Sequence, residues 1–306
     1  MPESIEEAPP ALPLEEWEDT KETLHRFAQI VGKVRLANAP FMNHWWHATL
    51  YVGTRGLTTG PVPYSAPHAS GVFEVVFDLL ENRLVVSTSE DDGFHFALDD
   101  LPVASFYSGL IGGLAMLGIP VSIDARPFDL PDEQALDENV LHCVCDREYV
   151  RRYWRTLVWV DGVFKEFAGR FNGKSSPVHL FWHSFDLALG RFSGRPAPPR
   201  EGADPVTREA YSHEVISFGF WPGDRTVREP TFYSYTAPEP GGLTDQPLRP
   251  DAAYWTPEGG TALLAYEAVR TSEDPKETLL AFMQSAYDAG AKTAGWDMEA
   301  FRTRTG

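Results

Sequence analysis

Two long segments of the chain space their apolar side chains at three- and four-residue intervals, which is typical of one face of an α-helix. The first segment is LEEWEDTKETLHRFAQIVGKVRL, with Trp17, Leu24, Phe27, Val31 and Val34 in the apolar stripe. The second is DREYVRRYWRTLVWVDGVFKEFAGRFNGK, with Trp154, Val158, Phe164, Phe167 and Phe171. We predict an amphipathic helix in each segment.

After each helix the pattern changes to the two-residue alternation of β-strands. FEVVFDLLENRLVVSTS predicts a hairpin that turns at Asn82, and HEVISFGFWPGDRTVREPTFYSYTA predicts another that bends at Pro222-Gly223-Asp224. A helix then closes each set of strands. We expect Asp100 to cap LPVASFYSGLIGGLAML, and Asp274 to cap PKETLLAFMQSAYDAG with Pro275 at the favoured first position.

The two halves of the chain also agree in individual residues. At a shift of 137 residues, Trp17, Phe27, Gly32 and Pro40 fall on identical residue types, and Lys33 falls on Arg170. One residue of slip then aligns Trp46 with Trp182 and His47 with His183. We therefore predict an α+β protein of two pseudo-repeated lobes, each helix, antiparallel strands and helix, packed into one compact unit.

The predicted boundaries follow from this repeat. Residues 1–12 form a flexible acidic N-terminus and residues 13–123 the first lobe. Residues 124–146, which are acidic and rich in proline, form a linker or edge strap, and residues 147–306 form the second lobe.

Composition narrows the classes of function. The 306 residues are 43% hydrophobic and 13% aromatic, which suits a globular core. No apolar run reaches the ~20 residues of a membrane-spanning helix, and the N-terminus lacks the features of a signal peptide, so we expect a cytoplasmic protein. The net charge of −18 argues against nucleic acid and anionic membranes as partners. Cys143 and Cys145 lack the four-ligand pattern of structural zinc and are interpreted as reduced thiols.

The most distinctive stretches are NHWWH, residues 43–47, and VHLFWHSFD, residues 178–186. Interpreted as strands, they place His47 on the face of Tyr51 and His44 on that of Trp46, while His179 and His183 share a face about 13 Å apart. Neither stretch would then bind a metal alone. A repeat about a two-fold axis would instead bring His47 and His183 to one cavity.

Such a cavity would contain groups for acid–base chemistry or for a divalent metal. The candidate catalytic residues are His47, His183, His213, Glu166 and Glu214. His47 and His183 are the first candidate metal ligands, with His44 and His179 after them, and a divalent transition metal is the cofactor these residues would bind. Candidate substrate-binding residues are Trp46, Trp182, Tyr51, Arg55, Arg191 and Arg170.

Ordinary structural roles compete with each of these assignments. Histidines beside tryptophans on a sheet are commonly half-buried and bonded to backbone carbonyls, and Trp45, Trp46 and Trp182 are typical core residues. Arg55 and Arg191 are either surface residues or paired clamps for a carboxylate. The sequence also lacks GxGxxG, GxxxxGK[ST], GxSxG and HExxH, so no nucleotide cofactor is expected.

Three long motifs resemble a bacterial family catalogued only as a domain of unknown function. They are NHWWHATLYVGTRGLTTGPVPY, FKEFAGRFNGKSSPVHLFWHSFDLALGRFSGRPAPP and DPVTREAYSHEVISFGFWPG. The resemblance covers nearly the whole chain and implies a single-domain cytoplasmic protein without a known reaction. It also implies FWGSFD where this chain has FWHSFD, which would make His183 a feature of this protein.

Two functions follow as hypotheses. The first is a soluble enzyme that acts on a small molecule at a histidine-containing site in the cleft between the lobes. The alternative is a non-catalytic binding protein whose aromatic-lined pocket holds an apolar or carboxylate ligand. An interaction scaffold has the least support, because no exposed amphipathic repeat is visible.

Overall fold

Helices and antiparallel strands alternate along the chain. The structure, a computed structural model, describes residues 8–67, 69–130 and 132–303. Within these residues the helices are α1 (Glu18–Asn38), α2 (Val103–Met116), α3 (Arg147–Gly169), α4 (Pro205–Ala210), α5 (Tyr266–Arg270) and α6 (Pro275–Thr293), with 3-10 helices at Leu14–Glu16 and Asn43–Ala48. Most of the predicted N-terminus, residues 1–7, and residues 304–306 lie outside the described part.

The strands form two antiparallel sheets. The first contains β1 (Tyr51–Val52), β2 (Gly56–Thr58), β3 (Val62–Ala66), β4 (Ala69–Asp78), β5 (Arg83–Thr88) and β6 (Gly93–Ala97). The second contains β7 (His179–Phe181), β8 (Asp186–Pro196), β9 (His213–Trp221), β10 (Thr231–Ala237), β11 (Tyr254–Trp255) and β12 (Thr261–Ala265). The orders are β1-β2-β4-β5-β6, with β3 beside β4, and β11-β12-β10-β9-β8-β7. The α+β class predicted from the pattern is confirmed.

Both predicted hairpins are present. The β4–β5 hairpin turns through Asn82, whose φ of 52° is left-handed, and the β9–β10 hairpin bends at Gly223 with φ of 88°. The predicted cap of α6 is confirmed, because an Asp274 carboxylate oxygen accepts the Glu277 N–H at 3.0 Å. Asp100 as the cap of α2 is wrong. The N-cap is Pro102, two residues later, and it has no side-chain acceptor.

The prediction that NHWWH is a strand is also wrong. Residues Asn43–Ala48 form a 3-10 segment interrupted by left-handed conformations at His44 and Trp45. In the second stretch the strand ends at Phe181, and Trp182–Phe185 form a turn that includes a left-handed Phe185. His179 and His183 therefore do not share one strand face, and the predicted pattern of alternating faces fails in both stretches.

The edges of the two sheets meet where these stretches pass each other. Leu50 and Leu180 exchange backbone hydrogen bonds, N–H to O at 2.9 Å in one direction and 2.7 Å in the other. Leu50 precedes β1 and Leu180 lies in β7, so this pair joins one sheet to the other. The predicted duplication and its boundaries stay a prediction, although both halves run helix, antiparallel strands and helix.

Helix α1 is surrounded by both halves, and most of its residues are buried, including polar ones. The Gln29 amide exchanges hydrogen bonds with the backbone of Phe128, at 2.7 Å to its O and 2.8 Å from its N. Lys33 Nζ donates to the carbonyls of Asp124 and Arg126 at 2.9 and 2.6 Å. The start of the predicted linker is thus a strap bound to α1, and its backbone satisfies the buried polar groups of the helix.

One large apolar cluster runs through both halves. A residual gap of about 10 Å³ between α1, the first sheet and Tyr153 is lined mostly by leucine and phenylalanine side chains. A space of that size holds at most one water molecule, so the core is closely packed. Among the described residues, none of the helices combines the length and apolar character needed to cross a bilayer.

The contact between Gly32 and Trp182 gives the first testable prediction. A Cβ on Gly32 would lie 2.1 Å from Trp182 Cδ1, whereas a Cβ on Gly169, at the end of α3, would meet nothing within 4 Å. We expect Gly32→Ala to lower the free energy of unfolding by about 1–3 kcal/mol through overpacking. We expect Gly169→Ala to raise it by roughly 0.5–1 kcal/mol, because alanine favours the helix. Urea denaturation of both variants measures this, and equal effects would contradict the packing described.

Candidate functional site

The Asn43–Ala48 segment adopts an unusual backbone conformation. His44 has φ 56° and ψ 23°, and Trp45 has φ 61° and ψ 24°, so two consecutive side-chain-bearing residues are left-handed. Each such residue costs of order 1–3 kcal/mol and persists only where its surroundings impose it. Strained conformations of this kind are concentrated at functional sites, which directs attention to the contacts of this segment.

Helix α4 of the second half holds the segment in place. The His44 N–H donates to Glu209 Oε1 at 3.0 Å, and Trp45 Nε1 donates to the Val206 carbonyl at 3.0 Å. The helix itself begins at Asp204, whose carboxylate accepts the Val206 and Thr207 N–H groups at 2.8 and 3.1 Å. The left-handed turn is therefore fixed by groups about 160 residues away in the sequence.

The imidazole of His44 is oriented from both sides. Its Nδ1 lies 3.3 Å from the Ala210 carbonyl oxygen, and its Nε2 lies 3.0 Å from Lys174 Nζ. A protonated lysine only donates, so Nε2 is the acceptor, and Nδ1 carries the proton that it donates to Ala210. The ring stacks on Phe192 with centres 4.6 Å apart and meets the His213 ring edge-on at 5.4 Å.

Lys174 lies beside two aromatic rings. Its Nζ lies 5.2 Å from the ring centre of Trp46 and 5.1 Å from that of Phe192. Lys174 as a whole residue is exposed, while its amine lies against His44 and these rings. Trp46 and Phe192 belong, with Val215 and Ala237, to a small apolar cluster separate from the main core.

Burial and charge lower the basicity of the two nitrogens that face each other. The pKa of His44 lies below its ordinary value, first because of burial and second because of the Lys174 cation. Burial also lowers the pKa of Lys174, while the nearby carboxylate of Glu209 partly opposes the shift. Both effects favour the neutral forms, a base and an amine. We call the group formed by these residues and their neighbours the His44 site; it consists of His44, Trp46, Lys174, Phe192, Glu209 and His213.

The outer face of the second sheet continues from this site toward β10. The Tyr233 hydroxyl donates to an Asp186 carboxylate oxygen, and its ring crosses Gly219, where a Cβ would lie 2.2 Å from the ring. Tyr235 stacks beside it, and the hydroxyls of Tyr235 and Tyr211 are 3.1 Å apart. This face is a layer of tyrosine side chains that are hydrogen-bonded to one another and to a carboxylate.

The predicted pairing of His47 with His183 is not present among the described contacts. His47 Nδ1 lies within 3.2 Å of the backbone of Met42, and its ring packs on Phe41 and Trp45. The ring of His183 packs on Phe128, Phe181 and Trp182. Burial is the first cause that lowers the pKa of each histidine. The pair of histidines that the structure does bring together is His44 and His213.

His179 lies in the interior. It is fully buried beside Tyr51 and Phe181, its Nδ1 has no partner, and burial lowers its pKa to about 3. Among the described residues, no group of three or more His, Cys, Asp and Glu side chains is arranged to hold a metal ion. The metal-binding role of these histidines stays a prediction, and the geometry does not support it.

The predicted carboxylates and most of the arginines are engaged in ion pairs. Glu166 pairs with Arg170 at 2.7 Å and with Lys276 at 2.9 Å on the surface. Arg55 pairs with Asp78 at 2.8 Å.

Glu214 joins β9 to the end of α6. It accepts hydrogen bonds from Arg195 Nη2 at 2.7 Å and from Trp296 Nε1 at 3.0 Å. These contacts connect the strand to the end of the helix, which is a structural role. A catalytic role for Glu214 stays a prediction.

Arg191 and Trp182 are buried parts of the packing. The Arg191 guanidinium lies 3.5 Å from the ring centre of Phe167 and donates to the Phe167 carbonyl, and burial lowers its pKa to about 9. Trp182 packs on Gly32 of α1. Of the predicted substrate-binding residues, Trp46 is the one that lies in the His44 site. Lys174 and Glu209 were not predicted, although both stand in the motifs that carry the family resemblance, because nothing in their local sequence points to His44.

Buried neutral histidines give a prediction about acid stability. Burial lowers the pKa of His179 to about 3 and that of His25 to about 4, from 6.5. Between the folded-state pKa and 6.5, each imidazole binds a proton in the unfolded chain but not in the folded chain. The free energy of unfolding is therefore highest above pH 6.5 and decreases as the pH falls.

The free energy of unfolding should fall between about pH 7 and pH 5 by roughly 2 kcal/mol less in His179→Phe than in wild type. The basis is about 1.4 kcal/mol per proton and pH unit. The phenyl ring keeps the contact with Phe181 and removes the titrating nitrogen. Urea midpoints at the two pH values measure the difference. His95→Asn, on the exposed face of β6, is the matched control and should behave as wild type, and an unchanged pH dependence in His179→Phe would count against a buried neutral imidazole.

Comparison with known proteins and protein families identifies the family of the chain. No curated protein and no solved structure matches it. Residues 9–303 match the family model described as "Family of unknown function (DUF5996)". Since this match spans nearly the whole chain, as the resemblance of its motifs implied, the protein belongs to the DUF5996 family.

Proposed function

We propose that the protein is an enzyme that acts on a small molecule at the His44 site, with His44 as the acid–base group. The observation that carries the proposal is the contact of His44 Nε2 with Lys174 Nζ at 3.0 Å, while Nδ1 is held by the Ala210 carbonyl. A base in hydrogen-bond reach of a nucleophilic group, and itself oriented by a third group, is the arrangement that nucleophilic catalysis requires.

The composition of the site supports this proposal. His44 and Trp46 come from the first half of the chain, and Lys174, Phe192, Glu209 and His213 come from the second. The site therefore includes segments of both halves of the chain. A neutral imidazole is the form that accepts a proton at cytoplasmic pH, and the lowered pKa of His44 favours that form.

The backbone strain is consistent with a functional role. Two left-handed residues at His44 and Trp45 oppose folding, so their presence needs a compensating reason. Placing the imidazole between Ala210 and Lys174 supplies one. We include a cytoplasmic location and a small-molecule substrate in the proposal.

One observation favours the alternative, a non-catalytic binding protein. The Lys174 ammonium group lies beside the rings of Trp46 and Phe192, an arrangement that also suits a ligand with a carboxylate and an apolar body. Binding of this kind would need the Lys174 charge and the rings but would not need the basic nitrogen of His44.

A metabolite-depletion assay distinguishes the two functions. We would incubate a bacterial metabolite extract with wild type, with His44→Asn and with the control His95→Asn, and follow all components by mass spectrometry. Asparagine tolerates the left-handed backbone at position 44 and lacks the imidazole. We expect wild type and His95→Asn to deplete the same compound, and His44→Asn to do so about 10²–10⁴-fold more slowly.

Two outcomes would contradict the enzyme. One is depletion by His44→Asn at the wild-type rate, and the other is the absence of any compound that wild type depletes. Circular dichroism of each variant would check that the fold is retained.

A further inference from the structure

We propose that Lys174 is a nucleophile that forms an imine with a small aldehyde or ketone at the His44 site. This inference rests on the proposed function and adds to it the class of substrate and the atom that attacks. Its basis is the position of the amine: Nζ lies 3.0 Å from the acceptor nitrogen of His44 and beside two aromatic rings, and the residue is exposed.

The environment of Lys174 differs from that of the other lysines, all of which lie in the described residues. Lys21, Lys165 and Lys276 pair with carboxylates, Lys33 donates to backbone carbonyls and Lys292 donates to the Gln246 amide oxygen. Lys174 donates instead to an imidazole that is able to take a proton from it. Carboxylate partners favour the charged ammonium, whereas a neutral base permits the free amine.

The reaction balances without a further reactant. His44 Nε2 takes a proton from the ammonium group, and the nitrogen lone pair attacks the carbonyl carbon as the C=O π bond breaks. The His44 imidazolium returns that proton to the oxygen, which becomes the hydroxyl of a carbinolamine. His44 then takes a second proton from nitrogen and passes it to the hydroxyl, the C–O bond breaks as water leaves, and the C=N bond forms. The third nitrogen proton stays on the imine, and His44 ends in its neutral form.

The charges around the amine are consistent with this role. Burial against Trp46 and Phe192 lowers the pKa of Lys174, and the carboxylate of Glu209 raises it. His44 and His213 are the other titratable groups in the site, and the pKa of His44 is itself lowered by burial. Glu209 also accepts the His44 N–H at 3.0 Å, so one carboxylate both holds the base and limits the shift of the amine.

The aromatic rings of the site indicate the substrate class. Lys174 Nζ lies 5.2 Å from the ring centre of Trp46 and 5.1 Å from that of Phe192. Flat apolar groups pack well against such rings. A carbonyl attached to an aromatic or planar group is therefore favoured over a purely aliphatic one.

Reductive trapping tests the proposal directly. We would expose the full-length protein to benzaldehyde, or to pyruvate, with sodium cyanoborohydride near neutral pH, and map the modified lysines by peptide mass spectrometry. Lys276 is the internal reference, because its side chain is 51% exposed and paired with Glu166. We expect Lys174 to be modified several-fold faster than Lys276, because burial lowers the pKa of Lys174 and the Glu166 carboxylate raises that of Lys276, and benzaldehyde to give the larger ratio.

Two variants separate the chemistry from simple exposure. His44→Asn should slow the modification of Lys174 and leave that of Lys276 unchanged, because the base is lost. Glu209→Gln keeps an oxygen for the His44 N–H and removes the charge that raises the pKa of Lys174, so it should speed the modification. Circular dichroism of both variants would check that they are folded.

Modification of Lys174 no faster than that of Lys276 would overturn the imine proposal, as would a rate that does not change in His44→Asn. Either result is separate from the depletion assay. An enzyme whose turnover depends on His44 while Lys174 shows no selective trapping would keep the proposed function and lose the imine.

Discussion

A left-handed turn at His44 and Trp45 is the constraint on which the proposed site depends. The chain leaves α1, reverses through two conformations that L-residues rarely adopt, and enters β1. That path is held by Val206, Glu209 and Ala210 of α4 and by Lys174. If these second-half groups were removed, the segment would have no local reason to keep its shape, and His44 would no longer be oriented toward the amine.

The two halves of the chain are joined at several levels. Backbone hydrogen bonds between Leu50 and Leu180 join the sheet edges, and Trp182 packs directly against Gly32 of α1. The strap that contains Phe128 satisfies the Gln29 side chain in the interior. Because these contacts fix α1 against the second half, the segment that follows α1 is delivered to the outer face of the second sheet. Packing in the core thus determines where a surface site can form.

Patterns of apolar residues predicted the regular parts of the fold well. The helices α1 and α3, the two hairpins and the Asp274 cap follow from spacing and turn residues that act locally. NHWWH was misinterpreted for a physical reason: its β-forming residues favour a strand, but contacts with α4 impose left-handed backbone that no local rule predicts. A pairing of His47 with His183 depended on that strand and is absent for the same reason.

The site itself was predicted only in part. His44, Trp46 and His213 were named as candidates, because histidine and tryptophan stand out in a sequence. Lys174 and Glu209 were not, since their importance arises from a neighbour more than 100 residues away. Glu214 and Arg191 were named for their chemistry, but the folded chain uses Glu214 to tie strands to α6 and buries Arg191 among aromatic rings. Residue type suggests chemistry, whereas tertiary contacts decide which groups are free to perform it.

The central claim is that the imidazole of His44 accepts a hydrogen bond from the ammonium group of Lys174 and is placed to deprotonate it. Histidine side-chain NMR, recorded as a pH titration of wild type and of Lys174→Met, tests this contact without knowledge of a substrate. Since the Lys174 cation lowers the pKa of His44, the account predicts that the pKa of His44 rises in Lys174→Met. The same His44 pKa in both proteins would contradict the contact and the site built on it.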